Sequence, residues 1–425
     1  MLWIMHLRRI FAACCFLLLA IAATSQTQSA GNSIMGSWTG KLKVGITQLT
    51  LVLHFEQADG SLKCTIDSPD QNAKGISVHN DYISADSVAL SINSLGAAYR
   101  ARIDGDKLIG SFSQMGYSFP LTMTKGTYTL RRPQTPQAPF PYLTEEVTFF
   151  NAADNSTLAG TLTYPVGYKA TDNVPVVITV SGSGLQNRDE EIFSHKPFLV
   201  IADYLARNGI ASLRYDDRGY GASKGGNRVG SQALTPDYMR DAQAGTDYLR
   251  NLNKFSLIGV LGHSEGANIA FMLGSTQHTD FVISMAGVGV RVDEALAEQY
   301  NTILQSQGQP VKIDAAQYRK IAQAANSEWM NWFIDYDPAA DIAATTCPVL
   351  AINGDKDCQV ISSQNLTAIK KQLPQNPQNL VKEYPSLNHL FQHCQTGLPA
   401  EYNNIEETIS PEVLSDITKW INSLK

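Results

Sequence analysis

The sequence predicts an α/β protein in which a mostly parallel, doubly wound sheet follows a small antiparallel β-barrel or sandwich. Three observations lead to this fold class. Apolar and polar residues alternate up to about Gly126, apolar strands alternate with amphipathic helices from Thr144 onwards, and a proline-rich segment separates the two regions. A chain of 425 residues is also longer than one ordinary domain, so two domains are expected.

The N-terminus has the composition of a secretory signal peptide. Arg8 and Arg9 precede the apolar stretch Ile10–Ala23, which is short for a membrane span, and small residues follow it. We therefore predict that residues 1–25 are removed by cleavage after Ser25. The mature protein is then secreted or periplasmic, without stable insertion in a membrane. An uncleaved membrane anchor is the alternative interpretation.

Residues 33–130 are expected to form the antiparallel β domain. Side chains in Leu49–Phe55 and Tyr99–Ile103 alternate between apolar and polar with period two. Asp104-Gly105 predicts a tight hairpin turn between two of the short strands. Short strands with regular turns are typical of a small barrel or sandwich. No cluster of candidate catalytic residues occurs in this part of the sequence.

A proline-rich segment at residues 131–142 marks the predicted domain boundary, because proline at this density favours extended, semi-rigid backbone. The larger domain occupies residues 143–425, where continuous apolar strands predict a buried parallel sheet. Its strands are expected at Glu145–Phe150, Thr157–Tyr164, Val174–Val180, Ile210–Tyr215, Ser256–Leu261, Phe281–Ala286 and Val349–Asn353. Its helices are expected at Lys196–Asn208, Pro236–Asn251, Ala267–Gly274 and Pro411–Leu424.

Residues 288–345 are expected to form a helical lid over the carboxyl edge of the sheet. This stretch lies between two predicted strands and has helical character throughout. It is far longer than the crossover that such a sheet requires. It contains Trp329 and Trp332, which either line a substrate pocket or pack within the lid.

A candidate nucleophile lies in Gly262-His263-Ser264-Glu265-Gly266. This motif follows an apolar strand and precedes a helix rich in alanine and glycine, which is the context of a nucleophile elbow. The glycines let strand and helix approach each other, and the helix N-terminus favours negative charge near the Ser264 hydroxyl. We predict that Ser264 is the nucleophile.

A serine hydroxyl needs a general base, and in this strand–helix context the base follows the serine in the chain. His278, His389 and His393 are the candidates beyond Ser264. His278 falls at the far end of the helix that starts at the elbow. We predict His389, in a loop ahead of the final helix, with His393 as the competitor. An imidazole must be neutral to accept a proton, so activity is expected to rise with pH as His389 loses its proton.

The acid that orients the base is expected in the loop after the strand Val349–Asn353. Asp355 and Asp357 both lie in this loop. Asp357 is followed three residues later by the apolar Val360, which would anchor the loop to the core. We therefore predict Asp357 as the acid, with Asp355 as a surface turn residue.

The motifs together resemble the alpha/beta-hydrolase superfamily, from about Thr144 to the C-terminus. Arg214–Ser223 contains Asp-Arg-Gly-Tyr-Gly-Ala-Ser, which is similar to the Asp-x-Arg-Gly-x-Gly-x-Ser loop of that superfamily. The combination with Ser181-Gly182-Ser183-Gly184, Gly-His-Ser-Glu-Gly and Asn-His-Leu-Phe resembles EstD-type esterases, which also carry an N-terminal β domain. The resemblance implies hydrolysis of carboxylic esters with a preference for short acyl groups.

The same resemblance implies an oxyanion hole of two backbone N–H groups. One belongs to Glu265, directly after the nucleophile, and the other to Ser183, with Gly184 as the fallback. Ser181 stands where relatives often have histidine, so a different brace for this loop is needed. Losing one such donor typically costs roughly 10²–10³ in rate. The side chain of Glu265 is expected only to favour the helix N-terminus.

Composition excludes several other classes of function. The formal net charge is −6 and lysine and arginine form no cluster, which argues against binding to nucleic acid. The cysteines have no zinc-site spacing, and neither a metal nor an organic cofactor is expected. Cys358 and Cys394 follow the acid and the base, so a disulfide between them is a hypothesis. The acidic residues 189–191 are expected to be a solvated face.

The sequence thus predicts a secreted serine hydrolase that cleaves a small-molecule ester through an acyl-enzyme on Ser264. Two alternatives stay open. A serine peptidase or aminoacyl amidase would use the same triad on an amide. A non-catalytic carbohydrate-binding protein would use the β domain instead.

Overall fold

The structure, a computed structural model, describes residues 34–44, 47–58, 60–71, 73–128, 131–309, 311–324 and 327–425. The predicted signal peptide and its cleavage site lie outside these residues. The chain divides into two compact units, one ending at Leu130 and the other beginning at Arg131.

The N-terminal unit is a closed antiparallel barrel, in which each strand pairs with the next and the first pairs with the last. Two short 3₁₀ turns interrupt the described strands, at Pro69–Gln71 and Asn93–Leu95. The strands are β1 (Gly36–Val44), β2 (Thr47–Ala58), β3 (Ser61–Ser68), β4 (Ala73–Ile83), β5 (Ser87–Ile92), β6 (Ala97–Asp104), β7 (Lys107–Gln114) and β8 (Tyr117–Lys125).

The alternation of the sequence puts every second side chain into the barrel interior. Leu53 and Phe55 of β2 are buried, and so are Trp38 and Tyr99. The Tyr99 hydroxyl donates to the carbonyl oxygens of two other strands, at 3.0 and 3.1 Å, which satisfies its polar end inside the core. Side chains therefore fill the barrel, and the barrel rather than the sandwich is the observed form of the predicted β domain.

The C-terminal unit is built on a sheet in which nine strands of the described chain take part. The strands are β9 (Thr144–Asn151), β10 (Ser156–Thr163), β11 (Val174–Val180), β12 (Ala211–Tyr215), β13 (Lys224–Gly225), β14 (Phe255–His263), β15 (Phe281–Met285), β16 (Val349–Gly354) and β17 (Leu380–Tyr384). The order is β13-β10-β12-β11-β14-β15-β16-β17, with β9 paired to β10. From β12 to β17 all neighbouring strands are parallel, and β10 is antiparallel to its partners.

Helices connect the parallel strands of this unit. They are α1 (Pro197–Arg207), α2 (Thr235–Asn251), α3 (Glu265–Ser275), α4 (Val292–Ser306), α5 (Ala315–Gln323), α6 (Glu328–Phe333), α7 (Ala339–Ala344), α8 (Ser362–Gln372), α9 (Pro399–Tyr402) and α10 (Pro411–Ser423), with a 3₁₀ turn at Gly230–Gln232. No element was predicted from the sequence at β13, β17, α8 or α9.

Helices cover both faces of the sheet, which is why its central strands are apolar on both sides. Val176 and Ile178 of β11 belong to one apolar cluster, which includes residues of α2, α3 and α8. Val177, between them, belongs to the other cluster with residues of α1 and α10. The predicted α/β fold class, a doubly wound sheet that follows a β-barrel along the chain, is therefore confirmed.

The helices α4, α5, α6 and α7 occupy the stretch between β15 and β16 that was predicted as a lid. They carry small apolar clusters of their own, in which Phe333, Val292 and Val360 are buried. Val360 belongs to the loop after β16, so the lid packs against the loop in which the acid was predicted.

The proline-rich segment is attached to the C-terminal unit. The Arg132 guanidinium donates to the carbonyl oxygens of Phe193, Asn403 and Ile405 at 2.7 to 3.1 Å. Gln134 donates to the carbonyl oxygen of Ile409 at 2.7 Å. Among the described residues, no helix combines the length and the apolar composition that crossing a membrane requires.

Candidate active site

Ser264 lies in a strained turn between β14 and α3. Its backbone has φ 54° and ψ −118°, a region that residues with a side chain rarely adopt. A Cβ on Gly262 would come within 1.9 Å of the Gly266 carbonyl oxygen, and one on Gly266 within 2.2 Å of the Val180 carbonyl oxygen. Only glycine fits at these two positions. The turn leaves Ser264 partly exposed while its neighbours are buried.

His389 and Asp357 form a buried hydrogen-bonded pair. The distance from His389 Nδ1 to Asp357 Oδ2 is 2.7 Å, and both residues are at most 5% exposed. Asp357 Oδ1 accepts from the N–H groups of Gln359 and Val360 at 2.8 and 2.9 Å. Because each carboxylate oxygen has its own partners, the carboxylate is fixed in the orientation that holds the imidazole.

The loops that carry this pair are joined directly. The N–H of Lys356 donates to the Leu387 carbonyl oxygen at 3.0 Å, and that of Asp355 donates to the Tyr384 carbonyl oxygen at 2.9 Å. A Cβ on Gly354 would come within 2.1 Å of the Leu387 oxygen, so the close contact requires glycine at the end of β16.

The structure does not bring the competing residues to this site. Asp355 is exposed, and its carboxylate accepts from the Ser386 N–H at 2.6 Å. His393 is exposed and pairs with Glu407 at 2.8 Å. The imidazole of His278 lies 3.9 Å from Asp247.

His389 lies beside the serine turn. His263, the residue before Ser264, has its Nε2 2.9 Å from the His389 carbonyl oxygen. The two imidazole rings are 4.8 Å apart between centroids. The structure therefore places the pair of His389 and Asp357, in the loops after β17 and β16, next to the turn that carries Ser264.

The loop after β11 lies against the serine. A Cβ on Gly182 would come within 3.2 Å of the Ser264 Cβ. The Ser181 hydroxyl donates to Asp217 Oδ1 at 3.1 Å, and the Gln186 N–H donates to Asp217 Oδ2 at 2.7 Å. Burial raises the pKa of the Asp217 carboxyl well above its ordinary value. Asp217 thus holds this loop through Ser181 and Gln186, in place of the histidine that relatives often carry at the position of Ser181.

Glu265 has a buried side chain, which was not anticipated. Its Oε1 accepts from the Thr235 hydroxyl at 2.5 Å and from the Trp329 indole N–H at 2.9 Å. Burial raises the pKa of this carboxyl, and hydrogen bonds from Thr235, Trp329 and Ser183 partly oppose the rise. The two predicted oxyanion donors, Ser183 and Glu265, are therefore neighbours, and the Glu265 side chain also contacts the lid.

The expectation that residues 189–191 form a solvated acidic face is wrong for Asp189 and Glu190. Asp189 forms a salt bridge with the buried Arg214. Glu190 is 5% exposed and contacts Gly182 and His263. Glu191 alone is exposed. The sequence pattern could not separate them, because burial here depends on the loop folding back onto the sheet.

Cys358 and Cys394 are free thiols in the structure. Their Sγ atoms lie 3.3 Å from the Gly397 carbonyl oxygen and 3.5 Å from the Ser386 carbonyl oxygen. Burial raises the pKa of Cys358 to about 12 and that of Cys394 to about 11, so neither is a ready thiolate. No group of three or more metal-ligating side chains occurs within the described ranges.

The arrangement is suited to nucleophilic catalysis. A partly exposed serine lies in a strained turn, and an imidazole that a buried carboxylate orients lies close to His263, the residue before that serine. The N-terminus of α3 begins at the next residue and directs its free N–H groups towards any negative charge formed there.

Comparison with known proteins identifies a matching family and a related esterase. Residues 196–323 match the family described as serine aminopeptidase, S33. The esterase EstD of Thermotoga maritima is 27% identical over an alignment of 279 positions that covers 62% of this chain. The match covers 65% of the esterase, so the chain spans slightly less than two-thirds of that relative's length.

Two solved structures are similar at lower identity. Est1E from Butyrivibrio proteoclasticus is 14% identical with a TM-score of 0.43, over 66% of this chain and 96% of that chain. The esterase Pf2001 of Pyrococcus furiosus is 16% identical with a TM-score of 0.46, over 70% of this chain and 98% of that chain. The strand order and the strained serine turn of this chain are those of the predicted alpha/beta-hydrolase fold, and its sequence relatives are hydrolases.

Proposed function

We propose that this protein is a serine hydrolase that cleaves small carboxylic esters, with short acyl groups preferred. The observation that carries the proposal is the buried 2.7 Å hydrogen bond between His389 and Asp357, beside the strained turn of Ser264. The similarity to the esterase EstD supports an ester as substrate.

In this proposal the Ser264 oxygen attacks the ester carbonyl carbon while its proton passes to Nε2 of His389. Asp357 holds Nδ1–H, so that the imidazole presents the free Nε2 and its positive charge is stabilised once formed. The N–H groups of Glu265 and Ser183 bind the oxyanion. The C–O bond to the alcohol then breaks, and His389 returns the proton to that oxygen. Water cleaves the acyl-enzyme by the same two steps.

The test is labelling with a fluorophosphonate, combined with hydrolysis of esters from acetyl to octanoyl. The wild-type protein is expected to be labelled and to cleave the shorter esters faster. Ser264→Ala should abolish labelling and lower kcat by about 10⁴-fold or more, because the attacking atom is missing. The matched variant Ser386→Ala, in the loop before His389, should keep both. An unlabelled wild-type protein would overturn the proposal.

Cleavage of an aminoacyl amide is the second candidate, favoured by the match of residues 196–323 to a serine aminopeptidase family. The same triad would serve, since both reactions pass through an acyl-enzyme. Matched ester and amide substrates with the same acyl group distinguish the two. A kcat/KM for the amide equal to or above that for the ester would favour the amidase.

We propose export to the periplasm or the medium from the N-terminal composition alone. The mass of the mature protein, isolated from a cell that secretes it, checks this. Loss of residues 1–25 is the expected result, and an intact Met1 on the exported chain would contradict it.

A further inference from the structure

His263, the residue before the proposed nucleophile, contacts two acceptors at once. Its Nδ1 lies 2.9 Å from Oε1 of Glu190, and its Nε2 lies 2.9 Å from the carbonyl oxygen of His389. The side chains of His263 and Glu190 are only 8% and 6% exposed. Both contacts are thus buried and shielded from water.

The identity of these partners determines the protons on the ring. A carbonyl oxygen can only accept, so Nε2 must carry a hydrogen. Glu190 Oε1 already accepts from the Gly182 N–H at 2.7 Å, which stabilises its negative charge. Nδ1 therefore carries a hydrogen as well, and a ring with both hydrogens is an imidazolium.

Electrostatics favour the same state. Burial lowers the pKa of His263, but the charge and hydrogen bond of Glu190 outweigh it and raise the pKa above its ordinary value. The His389 carbonyl and the charge of Asp357 act in the same direction. The other ionisable neighbours are the His389 ring, 4.8 Å away, and Asp217, whose charge interacts with that of Glu190.

The geometry of Glu190 indicates that the surrounding structure fixes it. Its φ is 51°, in the left-handed region that residues with a side chain seldom adopt. Its N–H donates to the Asn187 carbonyl oxygen at 2.9 Å, which closes the tight turn. The carboxylate therefore reaches His263 and Gly182 from a rigid loop.

We propose that Glu190 and the imidazolium of His263 are positioning residues. They fix two loops relative to Ser264: the base loop, which carries His389, and the oxyanion loop, residues 181–184. Glu190 binds the Gly182 N–H of the oxyanion loop, and His263 binds the backbone of His389. The pair also places a positive charge next to the turn where negative charge forms. The role in catalysis rests on the function proposed above, whereas the protonation state of His263 does not.

The protonation state is tested first, by NMR of full-length protein labelled with ¹⁵N at histidine. His263→Gln assigns the His263 signals by their disappearance. We expect both ring nitrogens of His263 to be protonated at pH 7, where an unpaired histidine is mostly neutral. A neutral ring at pH 7, with either nitrogen bare, would overturn the proposal even if the enzyme is active.

The positioning role is tested with Glu190→Gln, and Glu191→Gln is the matched control because it makes the same change on an exposed neighbour. The buried variant should lose about 10²-fold in kcat with little change in KM, as expected when catalytic groups are displaced rather than removed. The control should keep wild-type kcat. Wild-type kcat in Glu190→Gln would overturn the positioning role.

Measurements of folding separate positioning from a general loss of structure. Glu190→Gln should keep the circular dichroism spectrum and the KM of the wild type while its kcat falls. A fall in kcat that is matched by an equal loss of folded protein would indicate a merely structural role and overturn the proposal. If the wild type cleaves no ester or amide, the proposed function fails, while the NMR result still decides the state of His263.

Discussion

At the scale of single residues, the two oxygens of the Asp357 carboxylate have different hydrogen-bond partners. Oδ1 is held by two backbone N–H groups and Oδ2 accepts from His389. In Asp357→Asn the remaining oxygen would stay with the backbone donors, and the new NH₂ group would face Nδ1. The imidazole would then keep its hydrogen on Nε2 and could not accept the proton of Ser264.

We therefore expect Asp357→Asn to fold and to lose about 10⁴-fold in kcat for ester hydrolysis. Asp355→Asn, two residues earlier and exposed, should retain most of the activity. Steady-state kinetics of the two variants checks this. Equal losses at both positions would contradict the assignment of the acid.

Glu265 gives a prediction about stability and pH. Because burial raises the pKa of its carboxyl, the folded chain binds a proton more tightly than the unfolded chain does. Stability therefore falls as pH rises from the ordinary carboxyl value through the raised one. Glu265→Gln does not ionise and keeps an oxygen for Thr235 and Trp329.

The unfolding free energy of Glu265→Gln, relative to that of the wild type, should thus increase between pH 4.5 and pH 8. Denaturant unfolding at several pH values measures it. Glu294→Gln, in the first turn of α4 and exposed, should show a small difference that varies little with pH. A constant difference for Glu265→Gln would contradict the prediction.

Residue identities were the most predictable part of the site. The glycines around Ser264, the order of the three residues and the loop positions of Asp357 and His389 follow from local chemistry. The roles of Glu190, His263 and Glu265 did not, because the contacts of His263 with Glu190 and His389, and of Glu265 with Thr235, join residues 30 to 126 positions apart along the chain. An acidic residue in a loop has no local signal that it will be buried.

At the scale of elements, α6 is linked to the elbow by one hydrogen bond. The Trp329 indole N–H donates to Glu265, and its ring stacks on Phe333 with 5.1 Å between centroids. Trp329→Phe keeps an aromatic ring but removes the donor. It should destabilise the protein by about 1–2 kcal/mol, because a buried acceptor loses a partner.

Loss of the hydrogen bond between Trp329 and Glu265 should also change the preference for acyl length, since this bond joins α6 to the residue after Ser264. Trp332→Phe is the control, because that ring stacks on Tyr336 instead. Denaturant unfolding and the series of acyl esters measure both effects. An unchanged stability for Trp329→Phe would show that the bond contributes nothing.

The elements differed in how clearly the sequence predicted them. The strand Val174–Val180 was predicted with the observed bounds, because a central parallel strand is an unbroken apolar run. The strand β17 was left unassigned, because Leu380–Tyr384 is short, lies at the edge of the sheet and includes Lys382 and Glu383. Its pairing with β16, rather than its composition, makes it a strand.

At the scale of the whole molecule, each unit has an apolar core of its own. A fragment of residues 131–425 should therefore fold and unfold cooperatively without the barrel. Circular dichroism during heating measures this, and hydrolysis of an acetyl ester reports the site. A fragment that stays unfolded would contradict the independence of the two cores.

The fragment 143–425 should be less stable than 131–425, although the proline-rich segment was predicted as a linker. Its removal takes away the donors that Arg132 and Gln134 supply to carbonyl oxygens of the C-terminal unit. A loss of several hydrogen bonds of this kind should lower Tm by about 5 °C. Equal Tm values would show that these bonds do not stabilise the unit.

The sequence by itself determined most of the strands and helices, the two-part organisation and the candidates for the triad, with Asp355 and His393 as competitors. These features depend on hydrophobic period, turn residues and short motifs, all of which act over a few neighbouring positions. Only the tertiary structure decided that the barrel closes, that Asp357 rather than Asp355 meets His389, and that Glu190 and Glu265 are buried. Burial and pairing depend on which distant segments pack together. The residue type alone does not distinguish a solvent-exposed carboxylate from a buried one.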